Sequence, residues 1–362
     1  MGNLTEFKRR QLFEVARHRD ELRKNPNLRW LFFEITNKCN LSCKHCGSSC
    51  TAKGEALTVD DVRATLSTLI EDKPMICLTG GEPMLHPDFF EIAGAVHSMG
   101  FRWGMTTNAT LIDKEGAIRL REAGMSTVSV SLDGMEESHD SLRGQKGAWK
   151  RALRGIEALK NAGFNPQVTT VFHRENFKEM REMYTFLCKI GINSWRPINI
   201  EPIGRACESR DMLLEPKEIA ELLSFIRERR FDPECRMNVT FGCSHFLGAN
   251  DERMVRDHYF LCAAGILTAS VRSNGDICAC LDIENRPELT FGNVKKDNFR
   301  EVWQSRFQAF RVDRTEKSER CSSCEERYIC GGDSAHTWDY EKCEPLLCYR
   351  DFGDKLSPPE EK

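Results

Sequence analysis

The sequence lacks the features that would direct it to a membrane or to secretion. No stretch approaches the about eighteen consecutive apolar residues of a membrane-spanning helix. The N-terminal segment is rich in Lys, Arg and Glu and contains no apolar core of a signal peptide. Met1-Gly2 begins like a myristoylation signal, but Glu6 stands where that signal needs Ser or Thr. We therefore expect a cytoplasmic protein with no membrane partner.

The chain also lacks a strong charge of either sign. Its formal net charge is -3 over 362 residues. Proteins that bind nucleic acid through electrostatics carry a clear excess of positive charge, so the composition predicts no nucleic-acid partner. The length allows a large barrel or two domains.

Cysteine, by contrast, is abundant. The chain contains 17 cysteines, which is an odd number. Disulfide scaffolds are typical of short secreted chains, and this chain is neither short nor preceded by a signal peptide. We therefore expect thiols that stay reduced and bind metal.

Three of these cysteines form a close group directly after an apolar run at residues 30–35. Cys39, Cys43 and Cys46 have the spacing C-x3-C-x2-C. Three thiolates so close together can hold three irons of a [4Fe–4S] cube and leave the fourth iron open to a substrate or cofactor. A zinc loop that takes Cys50 as its fourth ligand is the alternative.

Short apolar runs alternate with helical patterns from residue 30 to about residue 200. This repeat predicts parallel strands joined by helices, because each crossover needs a dozen or more residues. A partial (β/α)6 barrel and a flavodoxin-like open sheet both fit, and in either fold chemistry gathers at the C-terminal ends of the strands. We predict strands at 31–35, 75–79, 102–106, 127–132, 167–171 and 194–200, and helices at 60–71, 89–99, 114–123, 150–162 and 178–190.

The flanking segments have a different character. Residues 4–24 predict a charged helix packed on the outside of the following domain. Residues 206–255 show no clear strand–helix repeat and predict a connecting region with unassigned thiols at Cys207, Cys235 and Cys243. Cys77 and Cys188 lie within apolar runs, which favours core packing.

Several predicted strands end in polar or glycine-rich motifs. After the second strand, paired glycines allow a close backbone approach and Glu82 offers an acceptor for an ammonium group. Strand-end capping, turn formation and, for Arg143, a structural salt bridge are the alternatives. The candidates for ligand binding at or after these strand ends are Gly80, Gly81, Glu82 and Pro83, then Thr107 and Asn108, then Ser131 and Asp133, then Arg143. Weaker candidates are Asn199, Glu201 and Arg205.

These motifs resemble the signature of the radical SAM superfamily, including the aromatic residue His45 directly before the third cysteine. The resemblance implies a partial (β/α)6 barrel in which Cys39, Cys43 and Cys46 hold the cluster that chelates S-adenosylmethionine. It also assigns His45, the motif at residues 80–83, Thr107, Asn108, Ser131, Asp133 and Arg143 to S-adenosylmethionine binding.

A second group of cysteines begins at residue 262 with the pattern C-x12-G-x4-C and continues with C-x2-C-x5-C. It resembles the SPASM extension, which usually binds two auxiliary [4Fe–4S] clusters. That family has a further cysteine three residues after Cys330, where this chain has Ser334. The resemblance assigns Cys321, Cys324, Cys330 and Cys348 to an outer cluster and Cys262, Cys278, Cys280 and Cys343 to an inner one.

Two alternatives accompany that assignment. Without Cys278, the inner cluster would have an open iron that could bind substrate. A zinc ribbon is the alternative for Cys321, Cys324, Cys343 and Cys348. The resulting organisation is an N-terminal helix (1–29), the barrel (30–205), a connecting region (206–255) and a SPASM domain (256–362).

The family implies radical chemistry. One-electron reduction, supplied by a flavodoxin- or ferredoxin-type partner, cleaves S-adenosylmethionine to a 5′-deoxyadenosyl radical that removes hydrogen from an unactivated C–H bond. The auxiliary clusters would accept the remaining electron, which makes the reaction a net oxidation. Asp282, next to Cys280, is the candidate base, with an exposed loop aspartate as the alternative.

The resemblance favours a peptide or protein substrate and an oxidoreductase that matures ribosomally made peptides (RiPPs). About thirty residues precede the barrel, so we expect a separate leader-peptide-binding protein, or recognition by the barrel mouth and the SPASM face. A maturase of a tetrapyrrole or another small cofactor is the alternative. A non-catalytic iron–sulfur electron carrier is the second alternative.

Overall fold

A ten-stranded sheet forms the centre of the computed structural model, which describes residues 2–48, 50, 54–242 and 245–351. The strands are β1 (Trp30–Thr36), β2 (Met75–Gly80), β3 (Trp103–Thr107), β4 (Met125–Ser131), β5 (Gln167–Phe172), β6 (Ser194–Asn199), β7 (Asn238–Val239), β8 (Thr268–Val271), β9 (Asp276–Cys278) and β10 (Gly292–Asn293). Their order across the sheet is β10-β9-β8-β1-β2-β3-β4-β5-β6-β7. All neighbours from β8 through β1 to β7 pair in parallel, and β9 and β10 are antiparallel.

Helices connect and cover the strands. They are α1 (Gly2–Lys24), α2 (Val59–Ser67), α3 (Phe89–Ser98), α4 (Lys114–Glu122), α5 (Glu136–Arg143), α6 (Ala148–Asn161), α7 (Met180–Lys189), α8 (Pro216–Phe231), α9 (Gly248–Val255), α10 (Phe299–Ser305), α11 (Gln308–Arg311), α12 (Glu319–Ser322) and α13 (Arg327–Cys330). A separate hairpin pairs β11 (Trp338–Asp339) with β12 (Glu344–Pro345). None of the described helices combines the length and apolar composition needed to cross a membrane.

The six predicted strands are confirmed to within two residues at each end. They form because parallel strands with helices on their faces bury both sides, which selects near-continuous apolar runs. In β1, Leu31, Phe33 and Ile35 are fully buried, and Trp103 and Trp195 fill the core beneath β3 and β6. The strand–helix order positions the C-terminal ends of β1 to β6 along one edge of the sheet.

The prediction that residues 206–255 contain no strand–helix repeat is wrong. This stretch contains α8 and then β7, which extends the parallel sheet beyond β6. A capping box between Glu215 and Glu218 and a proline at the first turn begin α8. The polar appearance of the sequence hid the buried face of this helix, which consists of Ile219, Leu222, Leu223, Phe225 and Ile226.

The C-terminal part of the chain continues the same sheet. β8 pairs in parallel with β1, from Trp30 opposite Thr268 to Phe33 opposite Val271. Just beyond this pairing, the Glu34 carboxylate accepts hydrogen bonds from the backbone N and the hydroxyl of Ser273, both at 3.0 Å. The N-terminal barrel and the C-terminal domain are therefore joined by backbone pairing as well as by side-chain contacts.

Helix α1 packs on the C-terminal domain. Leu12 lies in an apolar cluster with Phe246, Phe260 and Ile329. Arg19 donates to the backbone oxygens of Ile329, at 3.3 Å, and of Tyr328. The prediction that this helix packs on the outside of the following domain is wrong, because its main partners are α9, α11 and α13, which lie far beyond the barrel in the chain.

Candidate functional site

The first cysteine group lies on the loop directly after β1. The backbone N atoms of Ser42 and Lys44 donate to the carbonyl oxygens of Arg143 and Leu142, at 3.1 and 2.9 Å, which attaches the loop to the end of α5. The Cys43 thiol is buried, and Cys39 and Cys46 pack against the same apolar cluster. The three predicted cluster ligands therefore lie together at the C-terminal edge of the sheet.

The protonation of these thiols differs with their surroundings. Burial raises the pKa of Cys39 to about 11, and burial also raises the pKa of Cys43. A hydrogen bond from the Cys50 thiol lowers the pKa of Cys46 to about 5. Iron binds thiolates, so loading this loop with metal displaces protons from Cys39 and Cys43.

Arg205 holds the cysteine loop from the opposite side. Its backbone N donates to the Cys46 carbonyl at 3.1 Å, and its Nη1 donates to the Cys43 carbonyl at 2.9 Å. Its Nη2 donates to the Cys50 carbonyl. Arg205 was a weak candidate for contacts to adenine or substrate, and the structure places its guanidinium on the backbone of the loop instead.

The two glycines of the Gly-Gly-Glu-Pro motif pack against the cysteine loop. A Cβ atom on Gly80 would lie 2.2 Å from the Thr36 carbonyl oxygen, and one on Gly81 would lie 2.3 Å from the Lys38 carbonyl oxygen. The Gly81 N donates to the Thr36 carbonyl at 2.8 Å. The sequence interpretation expected these glycines to allow a close approach of the backbone to a ligand. In the structure they allow a close approach to the backbone of the cysteine loop instead.

Glu82 is fully buried and joins three elements. Its carboxylate accepts hydrogen bonds from the Thr107 hydroxyl and the Asn108 backbone N, both at 2.8 Å, and from the Met84 backbone N at 3.3 Å. Burial raises the pKa of Glu82 to about 7. A carboxylate offers about four acceptor positions, so one position stays available for an ammonium group.

Asn108 extends this network back to the cysteine loop. Its side-chain amide donates to the Asn40 side-chain oxygen at 2.9 Å, and Asn40 in turn donates to the Thr110 hydroxyl at 2.8 Å. Ser131 ends β4 opposite Thr169, and Pro83 begins a short 3-10 turn at Pro83–Leu85. Thr107 and Asn108 thus connect the ends of β2 and β3 to the loop.

A buried ion pair lies behind Cys43. Arg143 Nη2 is 2.5 Å from Asp133 Oδ2, and its Nη1 is 3.6 Å from the Cys43 sulfur. Burial opposes ionisation of Asp133, but the Arg143 guanidinium prevails and holds the pKa of this carboxyl below its ordinary value. His45 Nε2 is 3.8 Å from the same carboxylate, and burial lowers the pKa of His45 to about 4. Arg143 therefore forms the buried salt bridge that was the alternative to a contact with S-adenosylmethionine.

A cavity of about 1210 Å³ lies between the cysteine loop and the C-terminal domain. Gly47 and Ser48, directly after Cys46, form one wall, and Asp282 faces them from the other domain. A Cβ atom on Gly47 would lie 3.5 Å from the Asp282 carboxylate. The predicted base therefore lies in a cavity beside the first cluster, while the residues predicted to bind S-adenosylmethionine lie outside this cavity.

Sequence reasoning missed four polar residues of this cavity. Arg272 is buried, and its Nη2 donates to the Ile283 carbonyl at 2.7 Å. Arg210, Glu34 and His336 line the cavity with it. A charged residue within the apolar run of β1 was a usable signal for Glu34, whereas the two arginines and His336 come from segments without a recognisable pattern.

The four cysteines predicted for the outer cluster meet at one cavity. Cys321, Cys324, Cys330 and Cys348 all line a space of about 190 Å³. Arg350 Nη1 donates to the Cys324 sulfur at 3.1 Å. Four thiols around one enclosed space are the donor set that a fully ligated [4Fe–4S] cluster requires.

The cysteines predicted for the inner cluster do not all lie at one place. The Cys262 sulfur accepts a hydrogen bond from the Ala335 backbone N at 3.3 Å, and the Tyr340 hydroxyl donates to the Ala335 carbonyl at 2.9 Å. Cys280 and His336 interact electrostatically with Tyr340. The Cys343 sulfur is 3.9 Å from the Tyr340 carbonyl oxygen. Cys278 is buried in β9, with Arg272 and Glu34 as charged neighbours. The structure brings three of the four predicted thiols to the Tyr340 segment and places Cys278 beside the buried Arg272.

Comparison with known families matches both parts of the chain. Residues 33–187 match the model of the radical SAM superfamily, and residues 262–325 match SPASM, an iron–sulfur cluster-binding domain. An AdoMet-dependent heme synthase of Methanosarcina barkeri (strain Fusaro / DSM 804) is 31% identical over 344 residues, which cover 89% of this chain and 97% of that protein. The chain belongs to the radical SAM superfamily. As a radical SAM enzyme with a SPASM domain, it binds S-adenosylmethionine and iron–sulfur clusters, which favours iron over zinc at both cysteine groups.

This radical SAM enzyme is also similar in sequence to a maturase and in structure to a solved AdoMet-bound protein. The mycofactocin maturase MftC of Mycolicibacterium smegmatis is 29% identical and covers 83% of this chain and 76% of that protein. The solved structure of native anSMEcpe with bound AdoMet has a TM-score of 0.72 at 19% identity and covers 91% of this chain and 95% of that one. The structural likeness shows that the two proteins share the fold, and the predicted α/β fold is confirmed.

Proposed function

We propose that this radical SAM enzyme acts on a tetrapyrrole. The observation that carries the proposal is the similarity to the AdoMet-dependent heme synthase, which extends over 97% of that protein. The similarity to the mycofactocin maturase extends over 76% of that protein at a lower identity. Tetrapyrrole maturation, the alternative in the sequence interpretation, therefore replaces peptide maturation as the leading function.

The cavity between the two domains supports a tetrapyrrole substrate. Haem-type tetrapyrroles are large, mostly apolar macrocycles with several carboxylate side chains, and a cavity of about 1210 Å³ has room for such a ligand. Apolar walls come from Ile203, Trp338, Tyr340 and Leu346. A macrocycle in this cavity would lie against Gly47 and Ser48, next to the predicted cluster ligand Cys46.

Two arginines are suited to hold the carboxylates of the substrate. No carboxylate of the described residues forms an ion pair with Arg272 or with Arg210, and both arginines line the cavity. Arg286, also at the cavity, is already paired with Glu284, Glu288 and Glu341. Glu34 interacts electrostatically with Arg272 but is not its salt-bridge partner. A guanidinium that is not bonded to a protein carboxylate can bind a substrate carboxylate in two parallel hydrogen bonds, so Arg272 and Arg210 are the better anchors.

The residues present fit the cofactors that the family requires. Cys39, Cys43 and Cys46 would hold the S-adenosylmethionine cluster, and the four thiols of the 190 Å³ cavity would hold the outer auxiliary cluster. When bound, the first cluster and S-adenosylmethionine supply the 5′-deoxyadenosyl radical that removes a hydrogen atom from the substrate. Glu82, with its remaining acceptor position, would hold the methionine ammonium group.

Asp282 is the proposed proton acceptor. Its carboxylate faces the cavity between Gly47 and Cys280, whose sulfur is 3.9 Å from Asp282 Oδ2. A substrate in the cavity would therefore lie between the first cluster and this carboxylate. Asp282 Oδ2 can take up the proton that a net oxidation releases, because the carboxylate is exposed to the cavity and not buried in a protein ion pair.

The test uses iron coproporphyrin III and the reconstituted enzyme under anaerobic, reducing conditions. We expect the porphyrin to stimulate 5′-deoxyadenosine formation and to change mass. Replacing Arg272 by Lys keeps the charge but removes the planar fork, so we expect porphyrin affinity to fall about tenfold, as measured by absorbance titration. Arg286→Lys is the matched control and should bind the porphyrin normally, because its partners are protein carboxylates.

Peptide maturation remains the second candidate, favoured by the 29% identity to the mycofactocin maturase. If a short peptide encoded beside this chain stimulates 5′-deoxyadenosine formation and iron coproporphyrin III does not, the tetrapyrrole proposal fails and the peptide function takes its place. A separate leader-peptide-binding protein would then be the expected partner.

A further inference from the structure

The inner auxiliary cluster is one cysteine short of the family pattern. Ser334 occupies the position where that pattern has its cysteine. Cys262, Cys280 and Cys343 lie at the Tyr340 segment, but a cube bound entirely by protein needs a fourth donor. The sequence interpretation used Cys278 for this role.

The surroundings of Cys278 do not favour it as the fourth donor. Cys278 is 3% exposed on β9, where it pairs with Ser270, and its thiol contacts the Cys280 carbonyl at 3.7 Å. Its charged neighbours are Arg272 and Glu34. Two cysteines separated by one residue also rarely reach the same cube without strain.

His336 lies where a fourth donor is needed. Cys280 and His336 interact electrostatically, and Asp282, whose Oδ2 is 3.9 Å from the Cys280 sulfur, lines the same cavity as His336. The preceding residue, Ala335, donates its backbone N to the Cys262 sulfur at 3.3 Å. The Tyr340 hydroxyl donates to the Ala335 carbonyl at 2.9 Å and fixes this loop. His336 is thus placed between two of the proposed ligands.

A carboxylate orients the imidazole as it does in known metal sites. His336 Nε2 is 2.9 Å from Glu201 Oε2, and the side chains of both residues are about nine-tenths buried. Histidines that bind metals usually donate their second ring N–H to a carboxylate, which fixes the tautomer and the ring orientation. With Nε2 facing Glu201, Nδ1 is the nitrogen available to a metal.

We propose that His336 is the fourth protein ligand of the inner auxiliary cluster, together with Cys262, Cys280 and Cys343. Cys278 then has a packing role in β9. This inference rests on the proposed inner cluster but not on the identity of the substrate. Imidazole ligation raises the reduction potential of an iron–sulfur cluster relative to thiolate ligation, so His336 would make the inner cluster a better electron acceptor.

The test isolates the auxiliary clusters in the full-length variant in which Cys39, Cys43 and Cys46 are replaced by Ala. With histidine labelled by ¹⁵N, pulsed EPR of the reduced protein should show a strongly coupled, isotope-sensitive nitrogen. His336→Cys should keep about eight irons but lose that nitrogen and lower the midpoint potential of one cluster. Cys278→Ala is the matched control and should keep both the irons and the nitrogen coupling.

The possible results distinguish an incorrect ligand assignment from the absence of the inner cluster. About four irons in the isolating variant that are all retained after Cys262→Ala would mean that the inner cluster does not exist, which removes the basis of the proposal. About eight irons with no nitrogen coupling, or with only a weak coupling typical of a hydrogen bond to sulfur, overturns His336 as a ligand. A coupling that persists in His336→Cys assigns the nitrogen to another histidine and also overturns it.

Discussion

At the scale of single residues, the residues of the sequence motifs bind the cysteine loop as well as forming a candidate ligand site. Gly80 and Gly81 contact the backbone before Cys39, and Glu82 binds the ends of β2 and β3 together. Arg143 neutralises Asp133 and touches the Cys43 sulfur. A radical enzyme needs a rigid first cluster, and these contacts supply that rigidity.

Replacing Gly81 by Ala tests this packing. The new Cβ would lie 2.3 Å from the Lys38 carbonyl oxygen, which is backbone and cannot rotate away. We expect the free energy of unfolding to fall by about 2 kcal/mol and the occupancy of the first cluster to fall with it. Urea unfolding and iron analysis measure the two effects.

Gly94 in α3 offers the matched control. A Cβ atom there meets nothing within 4 Å. Gly94→Ala should therefore stabilise the protein by about 1 kcal/mol through helix propensity and leave the iron content unchanged. Equal destabilisation by both variants would contradict the assigned role of Gly81.

The motif residues also show the limit of sequence reasoning at this scale. The grouping of the cysteines proposed for the outer cluster was predictable from the resemblance to SPASM, and the four thiols do meet at one cavity. The partners of Arg143 and Arg205 were not, because the fold brings them together from segments distant in the chain. His336 carried no signal, since a lone histidine after a glycine-rich loop has no characteristic spacing.

At the scale of elements, the loop between β1 and α2 depends on the segment that follows β6. Arg205 binds this loop at the carbonyls of Cys43, Cys46 and Cys50, using its backbone and its guanidinium. Gly204 has φ of +53°, and a Cβ atom there would lie 2.3 Å from the Cys46 carbonyl. The two strand ends are therefore locked together at the first cluster.

Replacing Arg205 by Ala should weaken the attachment of the cysteine loop to the segment that follows β6. Two side-chain hydrogen bonds to loop carbonyls are lost, and each bond from a charged donor contributes about 1.5–3 kcal/mol. We expect lower occupancy of the first cluster and weaker change of its EPR spectrum on addition of S-adenosylmethionine. Arg154→Ala, at an exposed position of α6, should leave both properties unchanged.

The elements themselves were largely predictable. Continuous apolar runs such as that of β1 are typical of buried parallel strands, and all six were found within two residues. The helix α8 was missed because only five of its sixteen residues face the core and the remainder are mostly charged. β8 was missed because its pairing with β1 joins residues more than two hundred positions apart.

At the scale of the whole molecule, one continuous sheet joins the barrel to the C-terminal domain. The first cysteine group follows β1, and the direct neighbour of β1 in the sheet is β8, which lies between Cys262 and Cys278 of the second group. Backbone pairing therefore fixes the relative position of the two cluster regions. A fixed separation suits electron transfer from a substrate held in the cavity between them.

We propose three [4Fe–4S] clusters, so the reconstituted protein should contain about twelve irons. Replacing Cys39, Cys43 and Cys46 together by Ala should remove about a third of the iron and abolish reductive cleavage of S-adenosylmethionine. Iron analysis and chromatography of 5′-deoxyadenosine measure these outcomes. Cys188→Ala, on α7, is the control and should match the unmodified protein.

If the triple variant still forms 5′-deoxyadenosine with dithionite, the assignment of the first cluster is wrong. If the unmodified protein holds only about eight irons, one cluster is absent, and a count of about four irons in the isolating variant described above shows that it is an auxiliary one. The two results are independent, because the first concerns the barrel and the second concerns the C-terminal domain.

The contact between α1 and the end of the chain has a consequence for biosynthesis. Leu12 and Arg19 emerge from the ribosome first, yet Phe246, Tyr328 and Ile329, to which they bind, emerge more than two hundred residues later. During translation the apolar side of α1 therefore stays exposed until the helices up to α13 have been synthesised. Packing of α1 onto α13 is therefore a late event in the synthesis of this chain.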